Sequence, residues 1–314
     1  MIDKVDGLMN NVTKKLLEIV SDYKNGGFKG AYSLRQNGQC ISTVSSENVA
    51  IESRTDVPGI IVRVAAGTVG ETVYIPSCVT QGGIRDVVRN DFYVGEDCDI
   101  TIRSGCGVHT EDDALAQHSG IHRFFLAPRA RVHYEEKHVG TGKGNGTRAI
   151  DPVSEIHLDK DAFLEIDSTQ ISGVDKAFRK TEAQLAEGAK LVVHERLFTE
   201  AEQVTTTKFK VELNGAGSSA DLVSRSVARD RSHQTMDSVI IGNAPCTGHS
   251  ECDSIIGEQA MVDASPRLFA RDPDASLIHE AAIGKIAGDQ IMKLRTLGLT
   301  EEEAEQEIIQ GFLS

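Results

Sequence analysis

Large and rigid side chains are scarce in this sequence. Aromatic residues make up 5% of the 314 positions, tryptophan is absent and only 7 prolines occur, whereas glycine reaches 29 residues. A globular α/β core usually contains more large side chains. Small and β-branched residues suit narrow, stacked β layers better. The composition therefore favours thin, repeated β layers.

Long apolar runs, a secretory signal and net positive charge are also missing. No stretch approaches the 18 consecutive apolar residues of a membrane-spanning helix. The segment from Met1 to Asp6 has neither the basic start nor the apolar run of a signal peptide. The net charge of −14 argues against broad binding to nucleic acid or to anionic membranes. We therefore expect a cytoplasmic protein with no nucleic-acid or membrane partner.

The cysteines do not form a recognisable framework. There are six, without a CxxC pair, and a reducing compartment disfavours structural disulfides. Most are expected to be small buried side chains, and one or two to be ligands or nucleophiles. They are Cys40, Cys78, Cys98, Cys106, Cys246 and Cys252.

The two ends of the chain carry helical periodicity. Apolar residues recur every three or four positions from Ile2 to Tyr23, which predicts an amphipathic helix that ends at Asn25-Gly26-Gly27. A second helical pattern begins at Ile283 and closes near Leu297-Gly298. A capping box at Thr300-Glu301-Glu302-Glu303 then opens a last helix.

The middle of the chain alternates apolar and polar residues in short segments, as in Asp99 to Arg103 and Phe163 to Asp167, which predicts strands. These strands follow a repeat of about 28 residues, in which an apolar anchor precedes a small or acidic turn. One such unit cannot bury its own apolar face, so the repeat predicts stacked solenoid coils. The alternative is a β-sandwich with coincidental spacing. The anchors are Val94, Leu126, Leu158, Leu185, Leu213, Ile241 and Phe269.

The predicted layout has three parts. Residues 1–27 form an N-terminal helical segment, residues 28–278 a β core, and residues 279–314 the last β segment with a helical hairpin. A hairpin at that end could cap the solenoid or dock a partner.

The C-terminal sequence resembles a known family. Cys252-Asp253-Ser254, then His279-Glu280-Ala281-Ala282-Ile283-Gly284, and finally Gly311-Phe312-Leu313 occur in the order found in SufB and SufD, proteins of the SUF system of iron–sulfur cluster assembly. Gly105-Cys106, at the position of a Gly-Cys turn, and Lys137-His138 extend this resemblance into the middle. The likeness covers about residues 30–314 and is greatest to a short, SufB-like archaeal or minimal branch.

The resemblance implies a right-handed parallel β-helix that dimerises through its core, with itself or with a SufB- or SufD-like paralogue. It further implies two copies of a SufC-like ABC ATPase near the C-terminal helices, and a transient iron–sulfur cluster destined for apo-proteins. The glycine-rich run from Gly140 to Thr147 lacks the spacing of a phosphate-binding loop. We therefore expect no nucleotide on this chain and no catalytic residues, with ATP hydrolysed by the partner.

Cys252, His279 and Glu280 match the positions of the cluster-associated thiolate, histidine and glutamate of the SufB branch. Independently of the resemblance, Glu280 follows Cys252 by 28 residues, the length of the repeat. This spacing predicts that both lie on neighbouring strands, about 4.8 Å apart and facing the same way. Alternation predicts that His279 and Glu280 do not both face inward. The simpler alternatives are a buried core thiol, a structural histidine and a solvated carboxylate.

A second concentration of possible ligands lies between residues 98 and 138, where alternation on strands sends many side chains outward. Cys106, His109 and His138 are further metal-ligand candidates there, since Cys106-x-x-His109 has a usable local spacing. The same region contains Cys98, His118, His122 and His133.

Two other functions fit part of the sequence. A plain interaction module could stabilise an ABC ATPase complex without any metal. A β-helix enzyme acting on polysaccharide would need paired carboxylates or a basic groove, and usually a secretion signal, which makes it the weaker alternative.

Overall fold

The protein is a parallel β-solenoid of about eight turns with helices at both ends. A computed structural model describes residues 7–21, 23, 27–257 and 259–313. None of the helices in those residues is long and apolar enough to cross a membrane. The helices are α1 (Asn11–Val20), α2 (Gly288–Thr296) and α3 (Glu301–Leu313).

Most successive strands alternate between two sheets, so that each coil contributes to both, whereas the first four strands form two antiparallel pairs, one in each sheet. The first sheet contains β1 (Ala31–Gln36), β2 (Gln39–Val44), β5 (Val69–Tyr74), β6 (Ser77–Val79), β8 (Asp99–His109), β10 (Arg131–Thr141), β13 (Phe163–Ser172), β15 (Lys190–Thr199), β17 (Ser219–Ala228), β19 (Thr247–Ile256) and β21 (Ser276–Gly284). The second contains β3 (Val49–Ser53), β4 (Gly59–Val64), β7 (Arg85–Val94), β9 (Ala116–Leu126), β11 (Arg148–Ile150), β12 (Val153–Leu158), β14 (Lys176–Leu185), β16 (Val204–Leu213), β18 (His233–Gly242) and β20 (Met261–Ala270).

The predicted repeat is confirmed as the rung spacing of the second sheet, and the β-sandwich alternative is wrong. Val94 pairs with Leu126, Leu126 with Leu158, and Leu158 with Leu185. The 28-residue spacing fails at one step, because Leu213 lies opposite Gly242 rather than Ile241. One extra residue in that coil shifts the register, and a one-residue shift turns a side chain to the other face.

Apolar side chains from both sheets meet inside the solenoid. Phe92, Phe124 and Tyr134 are the largest fully buried ones, and Phe92 stacks on Phe124 with ring centroids 5.0 Å apart. Each such burial contributes about 1.5–3 kcal/mol. Neighbouring rungs supply in-register rows of Leu, Ile and Val, so each coil is stabilised mainly by the coils on either side.

The N-terminal helix is shorter than predicted. It begins after Asn10, whose side chain accepts a hydrogen bond from the Thr13 amide at 2.7 Å, and it ends at Val20. Residues 2–6 and the predicted stop signal at residues 25–26 lie outside the described residues. Gly105 allows this helix to pack closely, since a Cβ there would lie 2.3 Å from the Val20 carbonyl oxygen. The resemblance predicted a turn at Gly105-Cys106, and this prediction is wrong, because both residues lie within β8.

The C-terminal prediction needs one correction. Ile283 lies in β21 and the helix begins only at Gly288. The capping box is confirmed, because the Glu303 amide donates to Thr300 Oγ1 at 3.2 Å while the Thr300 amide donates to the Glu303 carboxylate at 2.8 Å. Helix α3 contacts the flank of the solenoid beside β17, where Arg229 pairs with Glu305 at 2.6 Å.

The last coil, formed by β20 and β21, is open. Inward-facing side chains that are buried in β18 and β19 are only half-buried in this coil, as for Leu268 and Leu277. Met261 and Ile278 on the same coil are 57% and 53% exposed. An uncovered coil with free strand edges is a surface on which another chain can pair.

Candidate functional site

Cys252 lies at one end of a row of polar side chains inside the solenoid. In-register pairing on successive strands of the first sheet places these side chains above one another. The row ends at the open coil, where Cys252 lies opposite Ala281. Cys252 is 2% exposed. We call this row the interior polar column; its members are Ser104, Glu136, Ser168, Glu195, Ser224 and Cys252.

His279 faces the same interior, one rung further out. It lies opposite Ser250 on β19 and is half-buried. Its Nδ1 lies 3.0 Å from the Ser250 carbonyl oxygen. Because a carbonyl can only accept, Nδ1 carries a proton, which leaves Nε2 as the ring nitrogen of His279 that could bind a metal ion. Cys252 and His279 are thus diagonal neighbours across two rungs, both directed into the open end.

Glu280 does not join them, and the predicted register is wrong by one residue. The coil between β19 and β21 holds 29 residues rather than 28, so Glu280 lies opposite Glu251 while Cys252 lies opposite Ala281. Glu280 therefore faces outward and is exposed. The expectation that His279 and Glu280 face opposite ways is confirmed.

On the outer face, Glu280 belongs to a different group. Single ligand atoms from His249, Glu251 and Glu280 all lie within 4.8 Å of one another. His249 Nδ1 also contacts Asp221 Oδ1 at 2.8 Å, an arrangement that orients a metal-binding imidazole. Partial burial and the neighbouring Asp253 raise the pKa of the Glu251 carboxyl.

The Cys252 thiol is protonated at neutral pH. Burial raises its pKa to about 11, and the hydrogen bond from Ser254 offsets only part of this effect. A thiolate rather than a thiol binds metal. A metal ion could therefore bind at Cys252 only by displacing that proton.

Buried charges occupy the middle of the interior polar column. Arg179, from the second sheet, donates from Nε to Glu195 Oε1 at 2.8 Å and from Nη1 to His138 Nδ1 at 2.8 Å. It also pairs with Glu136 at 3.3 Å and donates to Ser168. Burial alone would raise the pKa of Glu136, but the charges and hydrogen bonds of His138 and Arg179 outweigh it and hold that pKa well below its usual range. This network keeps the column polar and ordered behind Cys252.

Glu195 is the charged member of the column that lies nearest to Cys252. Its Oε1 accepts from Thr207 at 2.9 Å, and its Oε2 accepts from Ser224 at 2.8 Å. Ser224 is the residue opposite Cys252 on the neighbouring strand. Both carboxylate oxygens of Glu195 thus have at least one donor, as a buried carboxylate requires.

The second set of predicted ligands divides between the two faces. Cys106 and His138 are buried and directly opposite each other on β8 and β10. His109 instead faces outward, with Nδ1 2.9 Å from Thr141 and Nε2 3.2 Å from Glu111. A joint Cys106–His109 site is therefore excluded by strand alternation. Burial and the charge of Glu136 raise the pKa of the Cys106 thiol, so it is protonated as well.

Other histidines of that region have structural partners. His118 contacts Asp86 at 3.1 Å and Ser77 at 3.2 Å inside the solenoid. His122 contacts the Tyr134 hydroxyl at 2.6 Å, and burial lowers the pKa of His122 to about 4. Both side chains satisfy polar atoms in the interior.

Sequence reasoning missed the charged members of the column. The signal was present in the alternation: Leu191, Val193, Glu195 and Leu197 occupy the inward positions of β15, so a glutamate stands where an apolar residue is expected. Arg179 stands in the same way on the inward face of β14. A charged residue inside an apolar alternation indicates a buried partner of opposite charge.

Comparison with known proteins identifies relatives of this chain. Residues 87–312 match the family model for the SUF system FeS cluster assembly SufBD core domain. An iron–sulfur cluster assembly SufBD family protein of Methanothermobacter thermautotrophicus is 30% identical over 271 residues, which cover 84% of this chain and 64% of the relative. One from Archaeoglobus fulgidus is 27% identical over 266 residues, covering 82% and 69%. The chain thus spans less than two thirds of the first of these relatives.

Proposed function

Because this chain belongs to the SufBD family of iron–sulfur cluster assembly proteins, we propose that it is a scaffold subunit that holds a nascent cluster for transfer to apo-proteins. It is a scaffold rather than an enzyme, and it acts in the cytoplasm. The cysteines of the chain are all free thiols, which fits a reducing compartment.

The observation that carries this proposal is the placement of Cys252 and His279 on one interior face at the open coil. Thiolate and imidazole are both iron ligands. Two protein ligands bind a cluster less firmly than four thiolates would, which suits a protein that must release its cargo. The open coil gives the cluster a way out.

Glu280 has a separate part in this proposal. With His249 and Glu251 it offers carboxylate and imidazole ligands on the outer surface. These ligands suit ferrous iron without sulfide. The outer group therefore binds iron beside the coil in which the cluster is held.

The open coil also supports dimerisation, with a second copy or with a SufB- or SufD-like paralogue. Half-buried Leu268 and Leu277 and exposed Ile278 would be covered by such a partner. Dimerisation there places Cys252 and His279 close to the subunit contact, so that movement of the subunits changes access to the cluster.

The helical hairpin α2–α3 supports docking of a SufC-like ABC ATPase. Met292 and Leu297 are 64% and 72% exposed, and a partner that covered them would remove apolar surface from water. ATP-driven closure of two ATPase subunits would pull on the hairpins and shift the subunit contact. ATP hydrolysis belongs to the partner in this scheme.

The test is the iron and sulfide content of protein isolated or reconstituted without oxygen. Wild type should bind both, and Cys252→Ala should lose most of the sulfide-containing cluster. Cys246→Ala is the matched control, since Cys246 is also buried and lies near the same end of the solenoid. Equal loading of all three proteins would refute the assigned ligand, and no loading of any would refute the function.

A further inference from the structure

Another concentration of metal-binding side chains lies on the outer face of the first sheet, remote in sequence from Cys252. His133 on β10 lies directly opposite Glu165 on β13. Asp167, two residues along the same strand, lies directly opposite His194 on β15. Since alternate residues share a face, two carboxylates on one strand lie between two imidazoles on the strands beside it. Side chains on adjacent strands are about 4.8 Å apart, which suits shared coordination of one cation.

The ligand atoms already converge. His133 Nδ1 is 3.3 Å from Glu165 Oε2, and His133 Nε2 is 3.6 Å from Asp167 Oδ2. Single ligand atoms of these three residues all lie within 4.8 Å of one another. Their side chains are about one-third exposed, at 34%, 33% and 28%, so a hydrated ion can reach them from solvent.

His194 stands next to this group as a fourth ligand. Its Nδ1 is 3.5 Å from Asp167 Oδ1 and 4.0 Å from Glu165 Oε1. Within the part of the chain that the structure describes, neither His133 nor His194 makes a hydrogen bond to a protein group. Both make only ion-pair contacts of 3.3–4.0 Å, which for His133 include Glu135 as well as Glu165 and Asp167. Their ring nitrogens are thus available to a ligand, in contrast to those of His118 and His122.

An arginine competes with a cation for one of these carboxylates. Arg103 pairs with Glu135 at 2.8 Å, and Glu135 Oε1 also lies 3.4 Å from His133 Nε2. Arg196 Nη1 contacts Asp167 Oδ1 at 3.1 Å. The other oxygen of Asp167 faces His133, so an ion can bind there while Arg196 stays in place.

We propose that His133, Glu165, Asp167 and His194 form a binding site for a divalent transition-metal ion such as Zn²⁺ or Fe²⁺, separate from the Cys252 site. Imidazole selects such ions over Mg²⁺ and Ca²⁺, which prefer oxygen ligands alone. His133, Glu165 and Asp167 bind first, and a turn of the His194 side chain completes four-coordination. The bound ion ties together three successive rungs of the solenoid.

Zinc binding to the metal-free full-length chain tests this proposal by titration calorimetry. All proteins carry Cys252→Ala and Glu280→Gln, which remove one ligand from each of the other two groups. The parent should bind one Zn²⁺ in preference to Mg²⁺. Replacing an outer-shell partner of a metal ligand costs about 10- to 100-fold in affinity, so His133→Ala and Asp167→Asn, which remove ligands, should each weaken binding by at least tenfold.

Two further variants separate this site from general surface binding. His233→Ala removes a half-exposed histidine that contacts a single carboxylate, Asp263, at 2.7 Å, and should leave the affinity unchanged. Arg196→Gln removes the competing cation and should strengthen binding. Equal affinity of the parent and Asp167→Asn, absence of a zinc site in the parent, or equal preference for Mg²⁺ would overturn the proposal.

Discussion

Arg179 is the residue on which the buried part of the interior polar column depends. It is the only permanent cation that the described residues place against both Glu136 and Glu195, and the three side chains are 8%, 5% and 2% exposed. Arg179→Met keeps much of the side-chain volume but leaves the two buried carboxylates without their cationic partner. We expect this substitution to destabilise the protein severely.

The magnitude follows from the burial of these groups. Removing one partner of a buried ion pair costs about 3–5 kcal/mol, because the other charge remains in a medium that solvates it poorly. For a chain of this size that corresponds to a fall of roughly 5–8 °C in the melting temperature. Hydrogen exchange should locate the loss in β10, β13, β14 and β15, since each coil contacts chiefly its neighbours.

Thermal and urea unfolding of Arg179→Met measure the effect against a matched control. Arg129 pairs with Asp97 at 2.7 Å and with Glu96 at 3.3 Å, but its side chain is 53% exposed. Arg129→Met should change the stability far less than Arg179→Met, because solvent screens an exposed ion pair. Similar stability of the two variants would show that the column does not depend on buried charge pairing.

Three further outcomes are expected. Burial lowers the pKa of His122 to about 4, so between pH 6.5 and 4 this histidine binds a proton in the unfolded chain but not in the folded chain. The free energy of unfolding should therefore fall by up to about 3 kcal/mol as the pH falls across that range. The urea midpoint of His122→Gln should depend less on pH than that of the wild type. Exposed Cys40 should be alkylated by iodoacetamide at pH 7.5 long before Cys252, whose pKa is about 11, as peptide mass spectrometry would reveal. Charged substitutions of Met292 and Leu297 together should abolish co-purification with the proposed SufC-like ATPase partner while the circular dichroism of the solenoid stays unchanged. Intact binding would show that the hairpin is not the docking element.

The solenoid could be predicted from the sequence because the repeat places one apolar anchor in each coil. Val94, Leu126, Leu158 and Leu185 pair in succession at spacings that are legible in the sequence alone. A coil can gain one residue in a turn without any change in its apolar pattern. One such residue follows Leu213, and a second lies between Cys252 and Ala281. That is why the register after Leu213 and, separately, the face of Glu280 could not be fixed before the structure.

The sequence identified the residues of the candidate site, but it did not show which of them lie together on one face of the sheet. Cys252 and His279 do share a face, whereas Glu280 belongs to an outer group with His249 and Glu251. The buried charges of the column lie on strands more than 40 residues apart, as Glu136 and Arg179 do. Sequence alternation indicates that each is buried, but only the stacking of coils shows which charge meets which.

The most direct test of the central claim is a comparison of His279→Ala with Glu280→Ala, in protein loaded with iron and sulfide without oxygen and followed by Mössbauer spectroscopy. An interior cluster held by Cys252 and His279 predicts that His279→Ala loses the cluster signal. Glu280→Ala should keep that signal and lose only iron that is not bound to sulfide. Loss of the cluster in Glu280→Ala, with retention in His279→Ala, would contradict the account.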